Sequence, residues 1–100
     1  MPELNTQRVQ RQSELLAADV REAETTAHAM RQAHDFAFKV WRDATKRWME
    51  APGKPPMGDV LAAQVVYETM GFVAAQAAMA AKIARQEARE AGVPVKGGRA

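Results

Sequence analysis

Apolar and small residues recur along the first half of the chain at alternating steps of three and four. One series runs Val9, Leu16, Ala23, Met30, Ala37 and Ala44; a second runs Ser13, Val20, Ala27, His34, Trp41 and Trp48. Such steps keep both series on one side of an α-helix, the seam of a coiled-coil contact. No glycine or proline lies between Pro2 and Pro52, and Ala, Glu, Gln, Arg and Leu, all good helix formers, dominate the interval. The pattern predicts one helix over about residues 4–50.

The periodicity stops at Ala51-Pro52-Gly53-Lys54-Pro55-Pro56-Met57-Gly58. Three prolines without amide donors and two glycines that favour non-helical angles make residues 51–58 a turn. Asp59 is the expected N-cap of a second helix over about 59–91, and Gly92 followed by Val93-Pro94 is the expected C-terminal stop. The predicted fold class is all-α: a two-helix antiparallel hairpin, coiled-coil-like, forming one domain over 1–100 and completed by oligomerisation into a helical bundle. The segment 93–100 reads as a flexible basic tail.

The second helix is apolar nearly all round. Leu61, Val65, Phe72, Ala75 and Met79 form one stripe, and Val66, Met70, Val73, Ala77, Ala80 and Ala84 another about 120° away. Gln64, Glu68 and Lys82 mark the remaining polar strip, with Gly71 and Ala78 between them as points of close approach. One neighbouring helix cannot cover such a circumference. On the first helix Phe36, Phe38 and Val40 widen the apolar arc around Trp41 and Trp48 in the same way. The lengths also differ, about 65 to 70 Å against about 50 Å at 1.5 Å per residue, so roughly the first 10 to 15 residues should overhang a closed hairpin. The expected protein interface is therefore Phe36, Phe38, Trp41 and Trp48 on the first helix with Val66, Met70, Val73, Ala77 and Ala80 on the second. The expected partners are the chain itself, as a homo-oligomer, or a larger protein assembly.

Composition changes this picture little. The chain has 100 residues, 47% hydrophobic and 26% charged, the balance of a folded domain. It has no cysteine, which excludes disulfides and thiolate metal sites. Fourteen Lys and Arg against 12 Asp and Glu give a net charge of only +2, weak support for a nucleic-acid partner. Lys39, Arg42 and Lys46 beside the tryptophans are the candidate nucleic-acid contacts, diluted by Asp35, Asp43 and Glu50. The polar N-terminus has no basic segment leading into an apolar run, so cytoplasmic synthesis without a Sec-type signal peptide is expected. The interrupted stretch from Val60 to Ala84 reads as a protein-packing helix and argues against a membrane partner.

Chemistry-bearing constellations are sparse. His28 and His34 are six apart, on different helix faces, and Glu24 with His28 at four apart lacks the Glu-x-x-His spacing of a di-iron bundle. No metal or other cofactor is expected. Ser13 is the one serine and has no matched base, and no glycine-rich phosphate loop precedes a helix; the chain is expected not to be an enzyme. His34, on the seam between Met30 and Trp41, reads as a packed core or interface histidine, with a pH-sensitive contact as the sharper alternative.

A hairpin of about this length resembles the small WXG-type substrates of type VII secretion, although the chain reads Trp48-Met49-Glu50 in place of Trp-x-Gly, and Tyr67 is followed four residues on by Gly71 rather than an acid. Pro52-Gly53-Lys54-Pro55 is similar to the Pro-x-x-Pro turn of type III needle subunits, and no other part of the chain matches them. Neither resemblance assigns a family. The expected function is a non-enzymatic structural or adaptor subunit, of a phage virion or a secretion apparatus. The alternatives are a small regulatory binder (antitoxin, immunity protein or phage-encoded inhibitor) and a weakly basic nucleic-acid-binding bundle.

Overall fold

The computed structural model describes residues 2–95, with side chains from residue 5 onward. It is an all-α antiparallel hairpin of two helices, α1 (Pro2–Glu50) and α2 (Gly58–Glu90), with no strand among the described residues. Of the flexible basic tail read over 93–100, residues 96–100 lie outside them, while Val93 is buried in the core and Val95 packs against it, so the chain is held there rather than loose.

The absence of breakers lets α1 run unbroken to Glu50, where Pro52 and the glycines end it. Ala51 N–H still reaches the Trp48 carbonyl at 3.3 Å in a tightened last turn. The turn itself uses left-handed backbone at Gly53 (φ 78°) and, less comfortably, at Lys54 (φ 46°). The Leu61 N–H donates to the Met57 carbonyl at 2.9 Å, which makes Met57 the residue that opens α2. Asp59 is therefore not the N-cap that its residue type suggested. It lies inside the first turn, where its charge complements the N-terminal end of the helix dipole.

The other end of α2 closes as the Gly92-Val93-Pro94 pattern predicts. Gly92 adopts φ 78°, its N–H donates to the Arg89 carbonyl at 3.0 Å, and the Val93 N–H donates to the Ala88 carbonyl at 2.8 Å. This is the paired bonding of a Schellman motif. Its accompanying apolar contact is present too, since Val93 and Ala88 are buried together with Val20.

Packing divides into two compact bodies, residues 1–27 with 77–100, and residues 28–76. In the first, Val20, Ala88 and Val93 form the buried centre, with Leu16, Ala17, Ala84 and Val95 packed against it. Glu24 meets Arg85 at 3.5 Å, both side chains 27% exposed. Residues 5–12 are all exposed, as the overhang requires, and Val9 is thus not part of the working seam. In the second body Ala37, Ala44 and Val60 are buried, and the Trp48 indole N–H donates to the Pro55 carbonyl at 2.6 Å, tying the end of α1 to the turn.

The inward side of α2 differs from either stripe read from the sequence. It follows Val60, Tyr67, Ala74, Ala81 and Ala88, at strict steps of seven, each buried or half-buried. Three of these five are alanines. Gly71 belongs to the same side, and a Cβ placed on it would stand 3.1 Å from His34 Nε2, so the close approach expected at Gly71 is filled by the His34 ring.

Candidate interaction surface

Tyr67 is the centre of the aromatic packing in the body of residues 28–76. Residues 34, 37, 38 and 41 have the i, i+3, i+4, i+7 spacing of a hole that receives a knob from a facing helix. The Tyr67 ring stacks on His34 (centroids 5.0 Å apart, 2° between planes) and on Trp41 (5.5 Å, 10°), while Phe38 meets it at 5.4 Å with a 59° tilt. Phe38 also lies against Trp41 at 6.1 Å, and the Arg42 guanidinium covers the outer face of Phe38 at 5.9 Å.

This arrangement engages several expected interface residues within the chain. Phe38 and Trp41 pack on Tyr67, and Trp48 serves the turn through its bond to Pro55. Met70, Val73 and Ala77 are half-buried, whereas Phe36, Val66 and Ala80 are exposed. Ala77 and Ala80 line a shallow recess with Asp19, Glu22, Ala23 and Thr26. The Trp41 indole N–H is buried without an acceptor, an arrangement that costs about 1–3 kcal/mol. Beside it on α1 lies an open recess of about 340 Å³ bordered by Thr45, Lys46, Met49 and Glu50.

The charged candidates are placed on the solvent side. Lys39, Arg42 and Lys46 are exposed. Arg42 is shared between the Phe38 ring and the Asp43 carboxylate, 3.4 Å away. Arg31 approaches His28 Nδ1 at 3.5 Å, and Glu24 is held by Arg85, so these two side chains spend their polar atoms on neighbours. Among the described residues no three His, Asp or Glu side chains gather to hold a metal ion, and no helix is long and apolar enough to cross a membrane.

Large apolar side chains are left uncovered on both helices, and those of α2, Val66 apart, share one side of it. Leu61 is 53% exposed, Val65 62%, Phe72 66%, Met79 55% and Ile83 48%; on α1 the most exposed are Met49 at 72% and Phe36 at 69%. On a helix of 3.6 residues per turn the five α2 residues fall within about 40° of one another, opposite the Tyr67–Ala74–Ala81 side. The sequence signalled Leu61, Val65, Phe72 and Met79 as a stripe; Ile83 was missed, although it sits four residues beyond Met79 on the same line. No family model, curated protein or solved structure matches the chain, and the functional reading rests on these surfaces.

Proposed function

We propose that the protein is a non-enzymatic assembly module whose hairpin associates with other protein surfaces, its own copies included, through the apolar residues that it leaves in water. The observation that carries this reading is the outer side of α2: five large aliphatic or aromatic side chains in one line, each about half to two-thirds exposed. Scattered exposed hydrophobics are ordinary, but a contiguous line of them on one helix marks a contact surface. The aromatic packing around Tyr67 supports the same reading from within. It orders the body of residues 28–76, so that association there costs little further ordering of the chain.

Light scattering on the purified chain across a hundredfold range of concentration tests this. The expected result is a mass above that of one chain, rising with concentration, with dye-accessible apolar surface that diminishes as the mass grows. A chain that remains a monomer throughout and binds no hydrophobic dye refutes the reading.

A further inference from the structure

The exposed stripe of α2 has a symmetry that identifies its occupant. Measured from Phe72, Val65 and Met79 lie seven residues to either side, and Leu61 and Ile83 lie eleven to either side. Two polar residues interrupt the line, Glu68 and Gln76, each four from Phe72. The pattern therefore reads the same from both ends: two apolar residues, one polar, Phe72, one polar, two apolar. A stripe that reads the same on reversal is what an antiparallel two-fold contact requires for apolar to meet apolar, because residue i of one copy then faces residue j of the other and j faces i.

We infer that α2 pairs antiparallel with α2 of a second copy of this chain, the two-fold axis passing at Phe72. This rests on the assembly reading above and specifies its partner and register. In that register Phe72 meets Phe72 of the second copy, Val65 meets Met79, and Leu61 meets Ile83, so every apolar position faces an apolar one over about 33 Å of helix. Glu68 falls opposite Gln76, twice by symmetry. The carboxylate accepts and the amide donates, so the polar layer is complementary. Within the chain Glu68 Oε1 already accepts from Gln64 Nε2 at 3.2 Å, which orients the carboxylate and leaves Oε2 to receive the second copy's amide. A parallel in-register pair would align the same apolar residues but set Glu68 against Glu68, two like charges in a partly desolvated contact. The polar layer thus selects the antiparallel arrangement, as single polar core residues do in coiled coils.

The cysteine-free chain makes the register directly testable. Two single variants, Glu68→Cys and Gln76→Cys, are prepared separately, then mixed and treated with a short bis-maleimide. In the antiparallel register the mixture gives the mixed cross-linked dimer, while each variant alone cross-links poorly. Residue 68 then stands about 12 Å along the helix from its own counterpart. Self-cross-linking of each variant alone, as strong as that of the mixture, means a parallel pair and overturns the inference. Phe72→Asp, at an exposed position that leaves the hairpin helical by circular dichroism, is expected to weaken self-association by roughly a hundredfold or more. Unchanged oligomer mass in that variant also overturns it. The two levels separate: a wild-type chain that is monomeric at all concentrations and binds no hydrophobic dye defeats the assembly reading itself, whereas one that stays monomeric but binds the dye, or that associates without the Glu68–Gln76 cross-link, defeats only this pairing.

Discussion

Replacing Tyr67 by alanine tests whether the aromatic knob is the centre of the body formed by residues 28–76. The Tyr67 ring contacts three others, His34, Phe38 and Trp41, at centroid distances of 5.0 to 5.5 Å. Removing a fully buried aromatic side chain costs about 3–5 kcal/mol through lost transfer energy and the cavity left behind. Tyr67 is only half-buried, which lowers that part to about 2 kcal/mol. Aromatic pairs contribute about 0.5–1.5 kcal/mol each beyond area. Because the three pairs share one ring, their sum overstates the loss. The expected destabilisation is therefore about 2–4 kcal/mol.

Urea unfolding followed by far-ultraviolet circular dichroism at fixed protein concentration measures this, fixed concentration being needed because self-association adds to apparent stability. For a domain of this size the loss corresponds to a fall in Tm of roughly 10 °C or more. Phe72→Ala provides the contrast: its ring is mostly in water within one chain, so at concentrations where the chain is a monomer the change should stay within about 0.5 kcal/mol. A Tyr67→Ala loss below about 1 kcal/mol, or one no larger than that of Phe72→Ala, refutes the assignment of Tyr67 as the central packing residue.

Two further predictions concern the backbone. Gly92→Ala forces an L-residue into the left-handed conformation that closes α2, with no steric neighbour to add to the penalty, and should destabilise the hairpin by about 1 kcal/mol; an unchanged unfolding midpoint would mean that the cap is not formed in solution. Lys54→Gly relieves the positive φ of Lys54 immediately before Pro55 and should raise stability by a net of roughly 0.5 kcal/mol after the greater freedom of glycine in the unfolded chain is subtracted; a loss of stability would show that the turn adopts another conformation.

The parts of this fold that were legible in the sequence are those written as patterns with one structural meaning. The α1 seam from Ser13 to Trp48 appears at the predicted positions because apolar residues at steps of three and four have only one shared side on a helix. The turn and the Gly92 stop were readable from residues whose backbone freedom or rigidity dictates where they sit. The inward side of α2 was not readable in the same way. A helix apolar around most of its circumference gives hydrophobicity no direction, and bulky residues such as Leu61, Val65 and Phe72 draw attention away from Ala74, Ala81 and Ala88. The contact with α1 selects for size rather than hydrophobicity, since small side chains let two backbones approach closely. Tyr67 escaped notice for a related reason: no pattern internal to α2 indicates that one large residue in an alanine line will enter the gap between His34 and Trp41.

That division of sizes bears on why both sides of α2 are apolar. If hairpin closure were the only demand on the helix, Leu61, Val65, Phe72, Met79 and Ile83 could be exchanged for charged residues at little cost in one isolated chain, with a gain in solubility. Val60 and Tyr67 apart, the inward line is alanine (Ala74, Ala81, Ala88), while Leu61, Val65, Phe72, Met79 and Ile83 face outward, so the two contacts do not compete for the same side chains. Close approach orders the hairpin, and the bulky side remains to bury surface against another molecule. The mirror spacing about Phe72 restricts that second contact further. Apolar stripes that bind unrelated grooves need no reversal symmetry, whereas a stripe that meets itself antiparallel across a two-fold axis does. An α2 variant with Glu68 and Gln76 exchanged would keep the composition and the reversal symmetry, and the antiparallel pair should tolerate it. A variant with Gln76→Glu alone would set carboxylates against each other in both polar layers and should lose the pair.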